Sequence, residues 1–197
     1  MRIKYEIYRK LIHLSSIWIP FAIYYLDRVY ALILFGIFMV IITTLEFLKI
    51  YSPLFSELYI EWFGPVLRPK EKKKHHFTGA FYVSVAALLS VALFPKYTAM
   101  AAISVMVISD TLASLIGIKF GKAKDGEKSA IGSAAFLISG LIVIIFISYY
   151  FNQGQSFLEA GGFAVVIATI VEFLANKLRI DDNLLIVVAV GLTMSLF

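Results

Sequence analysis

Long apolar stretches broken by short charged ones run through the whole chain, and they constrain its fold more than any other feature. An α-helix rises 1.5 Å per residue, so about 20 apolar residues cross the hydrocarbon core of a bilayer. Seven segments meet or approach that length: 8–26, 29–48, 77–95, 97–118, 129–151, 159–178 and 183–197. Hydrophobic residues make up 60% of the 197 positions and charged residues only 16%. That is too little charge to wet a water-soluble globule, and too much apolar surface for a disordered chain. The expected fold is an all-α polytopic membrane protein of about seven transmembrane helices, forming one domain over 1–197. There is no cysteine, which excludes disulfides, thiol catalysis and thiolate metal sites.

The basic start followed by an apolar run has the outline of a signal peptide. It lacks a small-residue cleavage site, and Trp18, Phe21, Tyr24 and Tyr25 follow, so it reads as a retained first helix. Orientation follows from Lys and Arg in the loops. With the N-terminus in the cytoplasm and seven spans, only Arg28 and Lys96 of the 18 basic residues fall on the opposite side. An even helix count would destroy this bias. The longest connection, 49–76, carries Phe55, Leu58, Tyr59, Trp62, Phe63 and Leu67 at helical spacing, which predicts an interfacial helix over 54–67. The basic run that follows, 70–76, reads as a solvated loop drawn to anionic lipid. Nucleic-acid binding is not indicated, because topology alone accounts for the basic residues.

Ionisable groups inside apolar runs are costly in a membrane and tend to do a job. Asp110 is the clearest, nine residues before Lys119 and so about 13 Å along the helix from the first cytoplasmic charge. Ala113, Gly117 and Gly121 follow it on one helix face. That smooth face leaves room for a ligand or for a neighbouring helix packed through Gly117 and Gly121. Glu46 ends the second span, and Glu172 lies five residues before Lys177 in the sixth. Asp181, Asp182 and Asn183 open the seventh. Glu6, Arg9, Lys10 and His13 share a face at the start of the first. Each has an ordinary explanation alone, such as capping or local pairing. Together they place acids and bases from several helices at one membrane face.

The segment 121–136 resembles a Walker A loop without being one, because Glu127 stands where its lysine belongs and no strand precedes it. It still holds ingredients for phosphate. Lys122, Lys124 and Lys128 bring charge, Ser129 is placed to cap the next helix, and Gly132 and Ser133 keep its first turn open. A helix N-terminus presents free N–H groups and a positive dipole end. A basic loop on the cytoplasmic side is the alternative explanation.

Glu6-x-x-Arg9-Lys10-x-x-His13, Thr78-Gly79, Asp110-x-x-Ala113-x-x-x-Gly117-x-x-x-Gly121-Lys122, Lys128-Ser129-x-x-Gly132-Ser133, Glu172 and Asp182-Asn183 occur in this order. The set resembles the dolichol kinase family, which includes phytol kinases and CTP-dependent diacylglycerol kinases. Ala130-Ile131 stand where family members often carry an acidic residue. The resemblance implies an integral membrane kinase that phosphorylates a lipid alcohol with CTP and a divalent metal, normally Mg²⁺. It implies metal binding by Asp110, Glu172 and Asp182. It implies nucleotide or phosphate binding by Arg9, Lys10, Thr78, Gly79, Gly117, Gly121, Lys122, Ser129, Gly132, Ser133 and Asn183. Asp110, Lys128 and His13 are the expected catalytic groups, with Glu6 and Glu46 in support. Asp110 either holds metal or activates the hydroxyl. Partners are then a lipid alcohol, a nucleotide and the bilayer. The location is a cytoplasmic or endoplasmic-reticulum-type membrane, with the site facing the cytoplasm. A CTP-using cytidylyltransferase and a small transporter or flippase are the rival readings.

Overall fold

The computed structural model describes residues 2–69, 71–73, 75–121, 128–178 and 180–197, with side chains for all of these except 2–5 and 176–178. Among the described residues the chain is all-helical: α1 (Arg2–Ser15), α2 (Trp18–Tyr25), α3 (Arg28–Tyr51), α4 (Pro53–Phe63), α5 (Gly79–Leu93), α6 (Lys96–Phe120), α7 (Ala130–Tyr150), α8 (Gly154–Leu178) and α9 (Asp182–Met194). A short 3₁₀ turn, Gly64–Val66, follows α4.

Among the described residues four helices are long and apolar enough to cross a membrane: α3, α6, α7 and residues 154–175 of α8. These correspond to four of the seven expected spans. Two more, α5 and α9, are apolar but shorter. The remaining one, 8–26, is not a single helix. Pro20 has no N–H to give the Ser16 carbonyl, which instead accepts from Ile19 at 2.9 Å. The amides of Ser16 and Ile17 bond back to His13 and Leu14, both at 3.0 Å, in a tight 3₁₀-type turn. The chain therefore breaks between α1 and α2. The helix predicted over 54–67 is α4 plus its 3₁₀ turn, started by Pro53 and capped by the Ser52 hydroxyl. Leu54 and Trp62 on it are strongly exposed.

Helix α6 is the centre of the molecule. It contacts α1, α2, α5, α7, α8 and α9. Ala99, Ala101, Ala102, Ile103, Val105, Met106 and Val107 on it are buried. Its alanines and serines let neighbouring backbones approach, and its Ile, Val and Met side chains fill the contacts, gaining van der Waals attraction where lipid offers no hydrophobic drive. Phe35, Phe136, Ile144 and Ile186 fill the spaces around it.

The closest approach is between α6 and α7. A Cβ on Gly132 would lie 2.8 Å from the Ala113 carbonyl oxygen and 3.4 Å from the Gly117 Cα. One on Gly121 would collide with the Ser129 side chain. The small face after Asp110 is thus taken up by helix packing rather than left open. This crossing brings the N-terminus of α7 beside the C-terminal part of α6. The N-termini of α5 and α9 and the C-terminal parts of α3 and α8 lie at this same end, so the ionisable residues of these helices gather there.

Candidate active site

Lys128 stands just before α7, where Ser129 caps the helix by accepting from the Gly132 amide at 3.0 Å. The Ser129 hydroxyl therefore serves its own helix. The Lys128 ammonium points into a ring of three carboxylates from three other helices. It is 2.5 Å from Glu172 of α8, 3.1 Å from Asp182 of α9 and 3.7 Å from Asp110 Oδ1 of α6. Burial disfavours its charge. Asp182, then Asp110 and Glu172, outweigh that and hold the ammonium above the usual lysine range. Ser133, one turn into α7, donates to Glu172 at 3.4 Å.

The other oxygen of Asp110 belongs to α1. Lys10 donates both to Asp110 Oδ2 and to the Asp110 carbonyl oxygen. The His13 Nε2 is 3.7 Å from Oδ2 and 3.5 Å from the Met106 carbonyl. Lys10 and Asp110 are both about 2% exposed. Glu6 and Arg9, expected on the same face, pair with each other instead. Lys122 lies outside the described residues.

Residues that the charged run 70–76 and its surroundings concealed complete the cluster. Arg68, four residues beyond the 3₁₀ turn's first glycine, places its guanidinium 3.6 Å from Asp181 and 3.7 Å from Asp182. Burial works against its charge, and Asp182, Asp181 and Glu71 more than restore it, raising its pKa. Glu71 is buried, not solvated: its carboxylate accepts the Arg68 amide at 2.9 Å. Asp181 caps α9, accepting from the Asn183 amide at 3.1 Å and its side-chain amide at 2.7 Å. Burial, then the adjacent Asp182 charge, push the Asp181 carboxyl up to about 6.

A second cluster abuts the first. Glu46 and Lys49 of α3 pair at 2.6 Å, both almost fully buried. Glu46 accepts the Thr78 amide at 3.0 Å and also the Thr78 hydroxyl, so a carboxylate of α3 caps α5. Lys49 donates to the His76 carbonyl at 2.8 Å and the Glu71 carbonyl at 3.4 Å, closing the 68–78 loop onto α3. Gly79 sits where the clusters meet: a Cβ there would lie 3.7 Å from Asn183 Nδ2 and 3.9 Å from Glu71 Oε1.

Among the described residues the charges of the cluster do not balance. Lys10, Arg68 and Lys128 face Asp110, Glu172, Asp181, Asp182 and Glu71. Asp110 Oδ1 and Asp182 Oδ1 are buried without a hydrogen-bond partner among the described residues. No group of three or more His, Asp or Glu stands at metal-ligand spacing among those residues, and the Lys128 ammonium contacts all three acids. An excess of carboxylate with two orphaned oxygens nonetheless fits a hard divalent cation, which takes oxygen ligands.

This chain is similar to CTP-dependent diacylglycerol kinase 1 of Saccharomyces cerevisiae, at 27% identity over 81% of this chain and 56% of that one. It is 30% identical to a probable chloroplastic phytol kinase 1 of Oryza sativa subsp. japonica, over 57% of this chain and 40% of that one. These similarities are to kinases that act on lipid alcohols. The chain spans about half the length of the two kinases. An uncharacterized protein of Methanocaldococcus jannaschii matches more fully, at 31% identity over 91% of this chain and 87% of that protein. No protein-family model and no solved structure matches. The kinase match over four-fifths of the chain accords with an order of motifs that runs from α1 to α9.

Proposed function

We propose that this protein is a CTP-dependent kinase that transfers the γ-phosphate of the nucleotide to the hydroxyl of a membrane lipid alcohol. The acceptor class is polyprenol-like, phytol-like or diacylglycerol. The observation that carries the reading is the meeting of Lys10, Asp110, Lys128, Glu172 and Asp182, from four helices and one helix-preceding loop, at a single end of an apolar bundle. Phosphoryl transfer asks a protein for charge neutralisation and in-line positioning rather than covalent chemistry. A site on the end of a membrane bundle lets a water-soluble donor meet an acceptor whose hydroxyl lies at the interface. The basic bias of the loops supports a cytoplasmic position for that end.

In this reading Lys128 leaves its carboxylates for the phosphate oxygens, and the free N–H groups at the start of α7 add hydrogen bonds to them. Lys10 fixes Asp110 through Oδ2 and leaves Oδ1 directed at the reaction. That oxygen takes either the proton lost by the acceptor alcohol or a share of a cation. Mg²⁺ held by Asp110, Glu172 and Asp182 would neutralise the charge of the triphosphate. Glu46 and Thr78 keep the start of α5 in place, and Asn183 and Gly79 lie beside the acids.

The test is product analysis. Purified protein in detergent is incubated with CTP, Mg²⁺ and a panel of prenols, phytol and diacylglycerol. The expected products are CDP and a phosphorylated lipid, with label retained when it starts on the γ-phosphate. Pyrophosphate and a CDP-lipid would instead identify a cytidylyltransferase. No transfer to any acceptor would remove the kinase reading.

A further inference from the structure

Of the three cations described in the cluster, Arg68 is the one whose side chain makes no hydrogen bond to a described residue. Lys10 donates to the carboxylate and carbonyl of Asp110, and Lys128 donates to Asp182 and sits 2.5 Å from Glu172. The Arg68 guanidinium lies 3.6 Å from Asp181, 3.7 Å from Asp182 and 4.0 Å from Glu71. Charge-assisted hydrogen bonds measure about 2.7–2.9 Å, so these are attractions between charges and not bonds. Its side chain makes no hydrogen bond to any described residue, although it is only 23% exposed. A guanidinium has five N–H donors in a flat fork, and here none of them is committed to a described residue.

The surroundings hold Arg68 in this position. Its amide is tied to Glu71, and the Glu71 and His76 carbonyls are tied to the buried Lys49. The loop is thus fastened on both sides of residue 71 to α3. A side chain needed only to neutralise Asp181 and Asp182 would gain by closing to hydrogen-bond distance. This one stops short of it, with its donors available at the end of the bundle where Lys128 stands.

We propose that Arg68 is a phosphate-binding residue: its guanidinium takes oxygens of the nucleoside triphosphate by paired hydrogen bonds, opposite Lys128. Phosphate offers the acceptor geometry that a guanidinium fork matches and an ammonium does not. The inference rests on the kinase reading above. It adds the 68–78 loop, pinned by Glu46 and Lys49, as the part of the chain that positions the donor nucleotide.

The test uses the full chain and two variants, Arg68→Lys and Arg68→Ala. Three quantities are measured: equilibrium CTP binding, thermal unfolding without nucleotide, and KM for CTP and for the lipid acceptor. Lysine keeps the charge that Asp181 and Asp182 face but loses the fork. Arg68→Lys should therefore unfold within a few degrees of the wild type and bind CTP roughly tenfold more weakly or worse, which is the size of effect of one charged hydrogen bond or more. Its KM for CTP should rise while its KM for the lipid stays the same. Arg68→Ala should weaken CTP binding further. Wild-type CTP binding in Arg68→Lys, or an equal rise in both KM values, would overturn the inference and leave the kinase reading standing. A wild-type protein that binds no CTP would overturn both.

Discussion

Replacing Asp110 with asparagine is expected to lower phosphate transfer by about a hundredfold to a thousandfold, the usual cost of removing one preorganised charged group from a reacting centre. Asparagine neither carries the charge that faces Lys128 nor accepts a proton from an alcohol. The same change also strips a buried cation of its partner. Lys10 is about 2% exposed and bonds to Asp110 through side chain and backbone alike. Breaking a buried ion pair from one side costs about 3–5 kcal/mol. Lost activity alone would therefore confuse chemistry with folding. The double variant Lys10→Met, Asp110→Asn separates them, because it removes the orphaned ammonium too. Its unfolding temperature should return most of the way to wild type while transfer stays as low as in the single variant. Recovery of activity in the double variant would mean that Asp110 serves only to neutralise Lys10.

Glu46→Ala is expected to be the most destabilising single change outside that centre. Its carboxylate is about 1% exposed and meets three partners: the Lys49 ammonium, the Thr78 amide and the Thr78 hydroxyl. Alanine leaves a buried lysine unpaired and the first turn of α5 uncapped. The expected loss is about 3–5 kcal/mol, or roughly 10 °C in unfolding temperature for a chain this long. Lys49 would also lose its reason to stay inside, and with it the anchor for the Glu71 and His76 carbonyls. Glu46→Ala should thus weaken CTP binding as a consequence of a displaced 68–78 loop, whereas Glu46→Gln, which still accepts from Thr78, should retain more of both. Thermal unfolding of the two variants in detergent decides this; equal stability of Glu46→Ala and the wild type would show that the buried pair contributes nothing.

Much of the arrangement was legible in the sequence because a membrane makes polar residues conspicuous. Asp110, Glu172 and Asp182 stand out in apolar runs, and the convergence of their helices followed from the side of the membrane on which each run ends. The order of motifs carried the resemblance to lipid alcohol kinases, to which the chain is similar. Three features were not fully legible. The break between α1 and α2 depends on where Pro20 falls relative to the Ser16 carbonyl, and hydropathy is blind to a missing N–H. The spacing of Gly117 and Gly121 favoured a helix crossing over a ligand cradle, while Gly132 read as keeping the first turn of the next helix open; the nearness of the Ala113 carbonyl to Gly132 places all three in the crossing. Arg68 and Glu71 sit in a stretch so rich in lysine that it reads as a solvated loop. The signal that would have found them is Glu71 itself, an acid within a basic run, three residues after an arginine it could pair with.

Helix α1 illustrates the limit of a shared face. Glu6, Arg9, Lys10 and His13 are spaced alike, yet Lys10 and His13 reach Asp110 while Glu6 and Arg9 satisfy each other. Spacing fixes which way side chains point and leaves open which partner is nearest.

The most direct test of the central claim is an experimental structure of the full chain with Mg²⁺ and a CTP analogue whose β–γ bridge does not hydrolyse. The account expects the terminal phosphate within hydrogen-bond distance of Lys128, close to Asp110 and the first turn of α7. A triphosphate bound elsewhere, with Lys128 still enclosed by Asp110, Glu172 and Asp182, would contradict it.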